Sequence, residues 1–84
     1  MTIEEFNEKY KNNLEDTFYG LSINIPSVIK FLDKIFEDLV KIPDFKYSQI
    51  KMKFGSARFY STLCSELNFI IESKINQLAD IYIS

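Results

Sequence analysis

Residues 46–60, KYSQIKMKFGSARFY, contain four of the ten basic residues of this 84-residue chain and none of its twelve acidic residues. The chain as a whole carries a net charge of −2. Lysine and arginine bind phosphate and carboxylate groups, and tyrosine rings stack on bases or other rings. The segment therefore has the composition of a surface that binds a nucleotide, a single-stranded nucleic acid or an acidic protein.

The alternation of side chains in this segment predicts a β-hairpin over about residues 47–62. Apolar residues at every second position are predicted to face the core, namely Ile50, Met52 and Phe54. Gly55 and Ser56 fit a two-residue type II′ turn, which needs a positive φ at its first position. This turn pairs Lys53 with Arg58 and Lys51 with Tyr60, so that two cations lie opposite each other and Lys51 can make a cation–π contact with the Tyr60 ring.

We call the outward side of this hairpin the basic aromatic face. It consists of Tyr47, Gln49, Lys51, Lys53, Arg58 and Tyr60. Like charges opposite each other destabilise a strand pair, so an acid at either position would favour folding, and their presence indicates a binding role. Two alternatives are that exposed lysines only prevent edge-to-edge aggregation or that helix acids cover the face. A helix over the same segment is a further alternative, although Gly55 inside it would cost about 1 kcal/mol.

The residues of catalytic and metal sites are scarce. The chain has no histidine, two glycines and one cysteine, so Ser-His and Cys-His catalysis and a phosphate-binding glycine loop are excluded. Asp33 and Glu37 lie among lysines and are predicted to form local ion pairs, including Glu37 with Lys41. The sequence therefore predicts a protein that is not an enzyme and holds no metal and no cofactor.

The single cysteine, Cys64, excludes an intrachain disulfide and indicates a reducing compartment. The first ten residues, MTIEEFNEKY, lack the basic start and apolar run of a signal peptide, and no stretch reaches eighteen apolar residues. We therefore predict a cytoplasmic protein with no membrane association.

The rest of the chain predicts helices around this hairpin. Thr2 and Glu5 form a capping box that begins a first helix over about residues 2–19, with Phe18 on its apolar stripe and Gly20 at its end. Residues 21–25 alternate as a short strand or connector, a second helix runs from Pro26 towards Pro43, and a last helix begins near Thr62. The apolar stripe of the last helix is predicted to be Leu63, Leu67, Ile71, Ile75, Leu78 and Tyr82.

These elements predict one α+β domain over residues 1–84, with two or three helices on one face of a small antiparallel sheet, in the order α(β)αββα. Phe69 falls within the polar arc of the last helix, which contains Glu66, Glu72, Ser73, Asn76 and Asp80. Either the first helix covers Phe69, or it marks a protein contact or the seam of a homodimer.

The stretches YGLSINIPSVIKFLDKIF, FKYSQIKMKFGSARFY and IESKINQL resemble a pattern in small proteins of bacteriophages and prophages that have no assigned activity. The resemblance covers most of the chain, from Tyr19 onward. It implies an intracellular accessory role during infection and brings no assigned site with it.

Together these observations predict a small non-enzymatic interaction protein that inhibits or modulates a host protein through the basic aromatic face. The first alternative is a protein that binds or sequesters a nucleotide. The second alternative is single-stranded nucleic-acid binding, although the net negative charge argues against binding duplexes.

Overall fold

The structure is a computed structural model that describes residues 1–15 and 19–83, with side chains up to Asp80. Its elements follow in chain order: α1 (Ile3–Lys9), a 3₁₀ turn (Lys11–Asn13), β1 (Gly20–Leu21), α2 (Pro26–Leu39), β2 (Tyr47–Lys53), β3 (Ser56–Ser61) and α3 (Ser65–Ile83). This order confirms the predicted α+β class, and the hairpin is formed by β2 and β3 rather than by a helix.

The three strands form one sheet in the order β1-β2-β3. The β2 and β3 strands are antiparallel, whereas β1 runs parallel to β2, with Gly20 opposite Gln49 and Leu21 opposite Ile50. The sheet is therefore mixed and not purely antiparallel as the sequence predicted. The reason is that α2 is a crossover connection, which brings the chain back in the direction of β1.

The first helix is shorter than predicted. The capping box is present, because Thr2 Oγ1 accepts from the Glu5 N–H at 3.1 Å and Glu5 Oε1 accepts from the Thr2 N–H at 2.9 Å. The helix nevertheless ends at Lys9, and the chain then bonds to β2, where the Glu15 N–H donates to the Tyr47 carbonyl at 2.7 Å. Asn13 also donates its side-chain amide to the Phe45 carbonyl, at 3.0 Å. These bonds replace further helical turns, and Phe18 lies outside the described residues.

The core is a cluster of aromatic rings around Phe36, which lies on α2 and is fully buried. Its ring centroid lies between 5.0 and 6.2 Å from those of Phe6, Tyr10, Phe45, Tyr47 and Phe59. These rings come from α1 and the residue that follows it, the segment before β2, and both strands of the hairpin. Because tilted and edge-on aromatic pairs add about 0.5–1.5 kcal/mol each to the burial of their area, one residue of α2 ties all these elements together.

Tyr47 belongs to this core, and its assignment to the outward face was wrong. The side chain is 0% exposed. The register between β2 and β3 shifts between Tyr47 and Gln49, so the simple alternation is broken and Tyr47 and Ile50 both face inward. The Tyr47 hydroxyl is buried without a hydrogen-bond partner among the described residues, and burial raises the pKa of this phenol to about 12.

Tyr10 makes the hydrogen bonds that Tyr47 lacks. Its hydroxyl donates to Asp33 Oδ1 at 2.5 Å, and Lys9 Nζ contacts the same oxygen at 2.9 Å. Burial and the neighbouring carboxylate raise the pKa of Tyr10 to about 12. Burial alone would raise the pKa of Asp33, but the hydrogen bonds from Lys9 and Tyr10 outweigh it, so this pKa is lowered.

The ion pairs of Lys9 therefore link α1 to α2. Besides Asp33, Lys9 also reaches Glu37 Oε1, at 3.5 Å. The predicted pair of Glu37 with Lys41 is replaced, because Lys41 lies 3.6 Å from Asp38 instead. Spacing along one helix predicted Lys41 as the partner of Glu37, whereas the cation that contacts Glu37 is Lys9 of α1.

The last helix, α3, closes the free edge of β3 with a row of polar side chains. Asn76 Oδ1 accepts from the Ala57 N–H at 2.7 Å, and Glu72 Oε2 accepts from the Phe59 N–H at 2.8 Å. One turn earlier, Asn68 Oδ1 accepts from the Ser61 hydroxyl at 2.6 Å. Four residues along a helix rise about 6.0 Å, and two residues along a strand rise about 6.6 Å. Every fourth side chain of α3 therefore lies beside every second residue of β3.

This arrangement rotates α3 relative to the prediction. Its buried side chains are Ile71, Ile75 and Ala79, whereas Leu67 is 45% exposed although it was predicted to lie on the apolar stripe. Glu72 and Asn76, which were predicted to lie on the solvated arc, face β3. The side chain of Tyr82 is outside the described part of the chain.

At the opposite edge of the sheet, Asn7 of α1 binds the backbone of β1. Its Oδ1 accepts from the Leu21 N–H at 2.9 Å, and its Nδ2 donates to the Leu21 carbonyl at 3.1 Å. Gly20 has a φ of +123°, and a Cβ there would lie 2.7 Å from Asn7 Oδ1. Glycine is therefore required for α1 to approach this strand so closely.

The two core tyrosines give a matched test of this packing. Tyr47→Phe removes a buried hydroxyl that has no partner, so we expect the free energy of unfolding to stay unchanged or to rise by up to about 1 kcal/mol. Tyr10→Phe removes a hydrogen bond to a carboxylate, so we expect a loss of about 1–2 kcal/mol. Urea denaturation followed by circular dichroism measures both, and a larger loss for Tyr47→Phe would contradict the assigned contacts.

Candidate functional site

The turn of the hairpin lies one residue earlier than predicted. Its two central residues are Phe54 and Gly55, with φ of 54° and 76°, and Lys53 pairs with Ser56. Positive φ at both central positions is the requirement of a type I′ turn, which matches the twist of the flanking strands. The predicted type II′ turn at Gly55 and Ser56 and its strand pairs are therefore wrong.

The corrected register still brings five of the six predicted residues to one side of the sheet. Lys51 lies opposite Arg58, and Gln49 lies opposite Tyr60. The neighbouring positions Ile50, Ala57 and Phe59 point into the core, so the five residues lie on the side away from it. Tyr47 is absent from this group, and from here on the basic aromatic face means Gln49, Lys51, Lys53, Arg58 and Tyr60.

The cations of this face make no ion pair with a carboxylate in residues 1–15 and 19–80. The ion pairs in this part of the chain all lie within the first 41 residues and join Lys9, Lys11 and Lys41 to acids. The like charges of Lys51 and Arg58 directly face each other, which destabilises the strand pair by a few tenths of a kcal/mol or more. Among the described residues, the cations of this face are therefore not ion-paired.

Phe54 extends this face at the tip of the hairpin, and the sequence prediction missed it. The side chain is 93% exposed, and Lys53 Nζ lies 5.7 Å from the centre of its ring, in place of the contact predicted between Lys51 and Tyr60. An L-residue other than glycine, asparagine or aspartate at positive φ is strained. The signal in the sequence was Gly55, because type I′ turns favour glycine at their second central position.

A polar cleft continues the face towards β1. It has a volume of about 430 Å³. Its lining residues are Asn7, Tyr19, Gly20, Leu21, Ser22, Gln49 and Lys51. Gln49 and Lys51 thus connect the cleft to the basic aromatic face, and Tyr19 is one of its other lining residues.

Phe69 lies apart from this face, on α3. It is 67% exposed, so α1 does not cover it. Cys64 is also exposed and directly precedes the first residue of α3. The exposure of Phe69 leaves a protein contact or the seam of a homodimer as the expectations for this residue.

Over the described residues, no group of three or more histidine, cysteine, aspartate or glutamate side chains is placed to hold a metal ion. In the same part of the chain, no helix is both long and apolar enough to cross a membrane. No protein-family model, curated protein or solved structure matches the chain.

The strain at the hairpin tip can be measured through stability. Phe54→Asn creates the Asn-Gly pair that type I′ turns favour, so we expect the free energy of unfolding to rise by about 1 kcal/mol. Phe54→Ala is the matched control, because it removes the ring and keeps the strained backbone, and it should leave stability nearly unchanged. A loss of stability in Phe54→Asn, measured by urea denaturation, would show that the ring supports the fold.

Proposed function

We propose that this chain is a small non-enzymatic interaction protein that binds an acidic surface of another protein through the basic aromatic face. The observation that carries the proposal is the direct pairing of Lys51 with Arg58 on the outer sheet face, where neither cation makes an ion pair among the described residues. Folding alone does not account for this pairing, because an acid at either position would stabilise the hairpin.

The side chains around the two cations suit a protein contact. Arginine and tyrosine are enriched among the residues that dominate interface energies, and Arg58 lies beside the half-exposed Tyr60. Phe54 adds a large apolar ring at the tip, where it is free to enter a pocket of a partner. Exposed cations steer the encounter with an acidic surface, and the rings supply buried area once contact is made.

The proposed compartment rests on Cys64, and the proposed partner class rests on the resemblance to phage proteins. Cys64 is exposed, and a free thiol suits a reducing compartment, so we assign the protein to the cytoplasm. The resemblance to phage proteins adds the proposal that the partner is a host protein whose activity is inhibited or modulated.

Nucleotide binding is the second candidate, and the polar cleft is the observation that favours it. Lys51 lies at the wall of the cleft and Tyr19 at its side, which suits a phosphate and a base. A nucleotide that binds only the folded state raises the apparent stability of the protein by RT ln(1 + [L]/Kd). A rise in melting temperature with a panel of nucleotides would therefore favour this candidate.

Charge reversal tests the leading proposal. We expect Lys51→Glu/Arg58→Glu to lower recovery of the bound protein at least tenfold, because both positions then repel an acidic surface. The measurement is quantitative affinity capture from the producing cells, with the captured protein identified by mass spectrometry. The variant keeps like charges opposite each other, so the hairpin should be no less stable than in the wild type.

The matched control is Lys30→Glu/Lys34→Glu, which changes the net charge equally at two exposed positions of α2. We expect this control to recover the bound protein at the wild-type level. Equal recovery by the reversal and the wild type would refute the choice of face. Equal losses in the reversal and the control would show that net charge, and not this face, controls binding.

A further inference from the structure

The outward surface of the first half of α3 carries three exposed apolar side chains. Leu67 is 45% exposed, Phe69 is 67% exposed and Ile70 is 60% exposed. Large apolar side chains that cluster on a surface mark interaction sites more often than single ones do. None of the three belongs to the basic aromatic face, so this surface requires an explanation of its own.

Ile70 forms a ridge between two hollows. On one side, a groove of about 360 Å³ separates α2 from α3 and is lined by Phe31, Ile35, Leu39, Ile70, Ile71 and Lys74. On the other side, a broader hollow includes Phe59, Phe69 and again Ile70. Ile70 therefore projects between an apolar groove and a hollow of mixed lining, where it can contact an apolar side chain of another molecule.

Two opposite charges flank Ile70 symmetrically on the same helix. Glu66 lies four residues before it and Lys74 four residues after it, so each is about 6 Å from Ile70 along the axis and on the same side of the helix. Both side chains are exposed, and neither is in an ion pair among the described residues. Lys74 Nζ has only a long contact with Gln77, at 3.4 Å.

This spacing decides the orientation of a second helix. If two copies of α3 pack antiparallel about a twofold axis that passes by Ile70, Glu66 of each copy falls opposite Lys74 of the other. If they pack parallel, Glu66 faces Glu66 and Lys74 faces Lys74. Only the antiparallel pair joins opposite charges at both ends, and a twofold interface is the commonest form of self-association.

We propose that the chain forms a homodimer by antiparallel packing of α3 about a twofold axis at Ile70, with two intermolecular ion pairs between Glu66 and Lys74. Ile70 meets its counterpart at the axis, and the exposed ring of Phe69 lies beside its counterpart on one flank. The apolar groove between α2 and α3 borders the contact on the other flank. The surface is modest beside a standard interface, so the dimer dissociates on dilution.

The test uses charge exchange and sedimentation velocity of the full chain. The wild type should approach a particle of twice 9.9 kDa as concentration rises. Glu66→Lys alone and Lys74→Glu alone should each raise the dimer dissociation constant about tenfold, because two ion pairs become like-charge pairs. Circular dichroism verifies that each variant stays folded.

An equimolar mixture of the two single variants is the decisive sample. In a mixed pair, one molecule carries lysine at both positions 66 and 74, and the other carries glutamate at both. Opposite charges then meet at both ends of the contact, so dimerisation should return to the wild-type level. The double variant Glu66→Lys/Lys74→Glu should also dimerise like the wild type. With one of the two variants labelled uniformly with heavy nitrogen, native mass spectrometry distinguishes the mixed pair from either homodimer by mass.

Ile70→Glu provides a second test, because it places two like charges at the axis on an exposed position and should leave only monomer. A wild type that stays monomeric at every concentration overturns the proposal, as does a mixture that fails to recover. Capture of a different protein by a monomeric α3 surface also overturns it. Lys51→Glu/Arg58→Glu should dimerise normally, so failure of the dimer and failure of the proposed function are separate results.

Discussion

The hydrogen bonds between α3 and the outer edge of β3 fix how the last helix lies against the sheet. A three-stranded sheet leaves unpaired backbone groups at its edges, and such edges recruit other strands. Here the Ala57 and Phe59 N–H groups donate to side chains of Asn76 and Glu72, so a helix takes the place of a fourth strand. Because these bonds fix the rotation of α3, they also determine that Ile71 and Ile75 are buried and that Ile70 is exposed.

The same constraint leaves one side of the sheet open. Asn7 binds the edge of β1 and α3 closes the edge of β3, while Phe36 and its neighbouring rings fill the inner side. The outer side of the sheet is therefore not used to fill the core, and its cations form no ion pairs among the described residues. The aromatic core offsets the small destabilisation from Lys51 opposite Arg58, which makes a charged binding face compatible with a stable fold.

Local patterns in the sequence predicted the elements that depend on local chemistry. The capping box, the helix from Pro26 and the hairpin follow from neighbouring residues, and all are confirmed. The sequence also placed five residues of the candidate face correctly, because strand alternation holds from Gln49 onward. Whether that face binds a partner stays a prediction.

The errors at Tyr47 and on α3 arose where distant parts of the chain meet, whereas the misplaced turn was a local error at Phe54 and Gly55. The register shift that turns Tyr47 inward has no local signature in the sequence. The two-residue turn was placed one residue too late, so the exposed position of Phe54 at the hairpin tip was not predicted. Glu72 and Asn76 are polar residues of the predicted polar arc of the last helix. Only the edge of β3 beside them shows that they accept hydrogen bonds from backbone N–H groups. Native-state hydrogen exchange by NMR tests this edge most directly. The Ala57 and Phe59 amides should exchange as slowly as those of Arg58 and Tyr60, which point towards β2, whereas exchange at the rate of an unprotected edge strand would contradict the account.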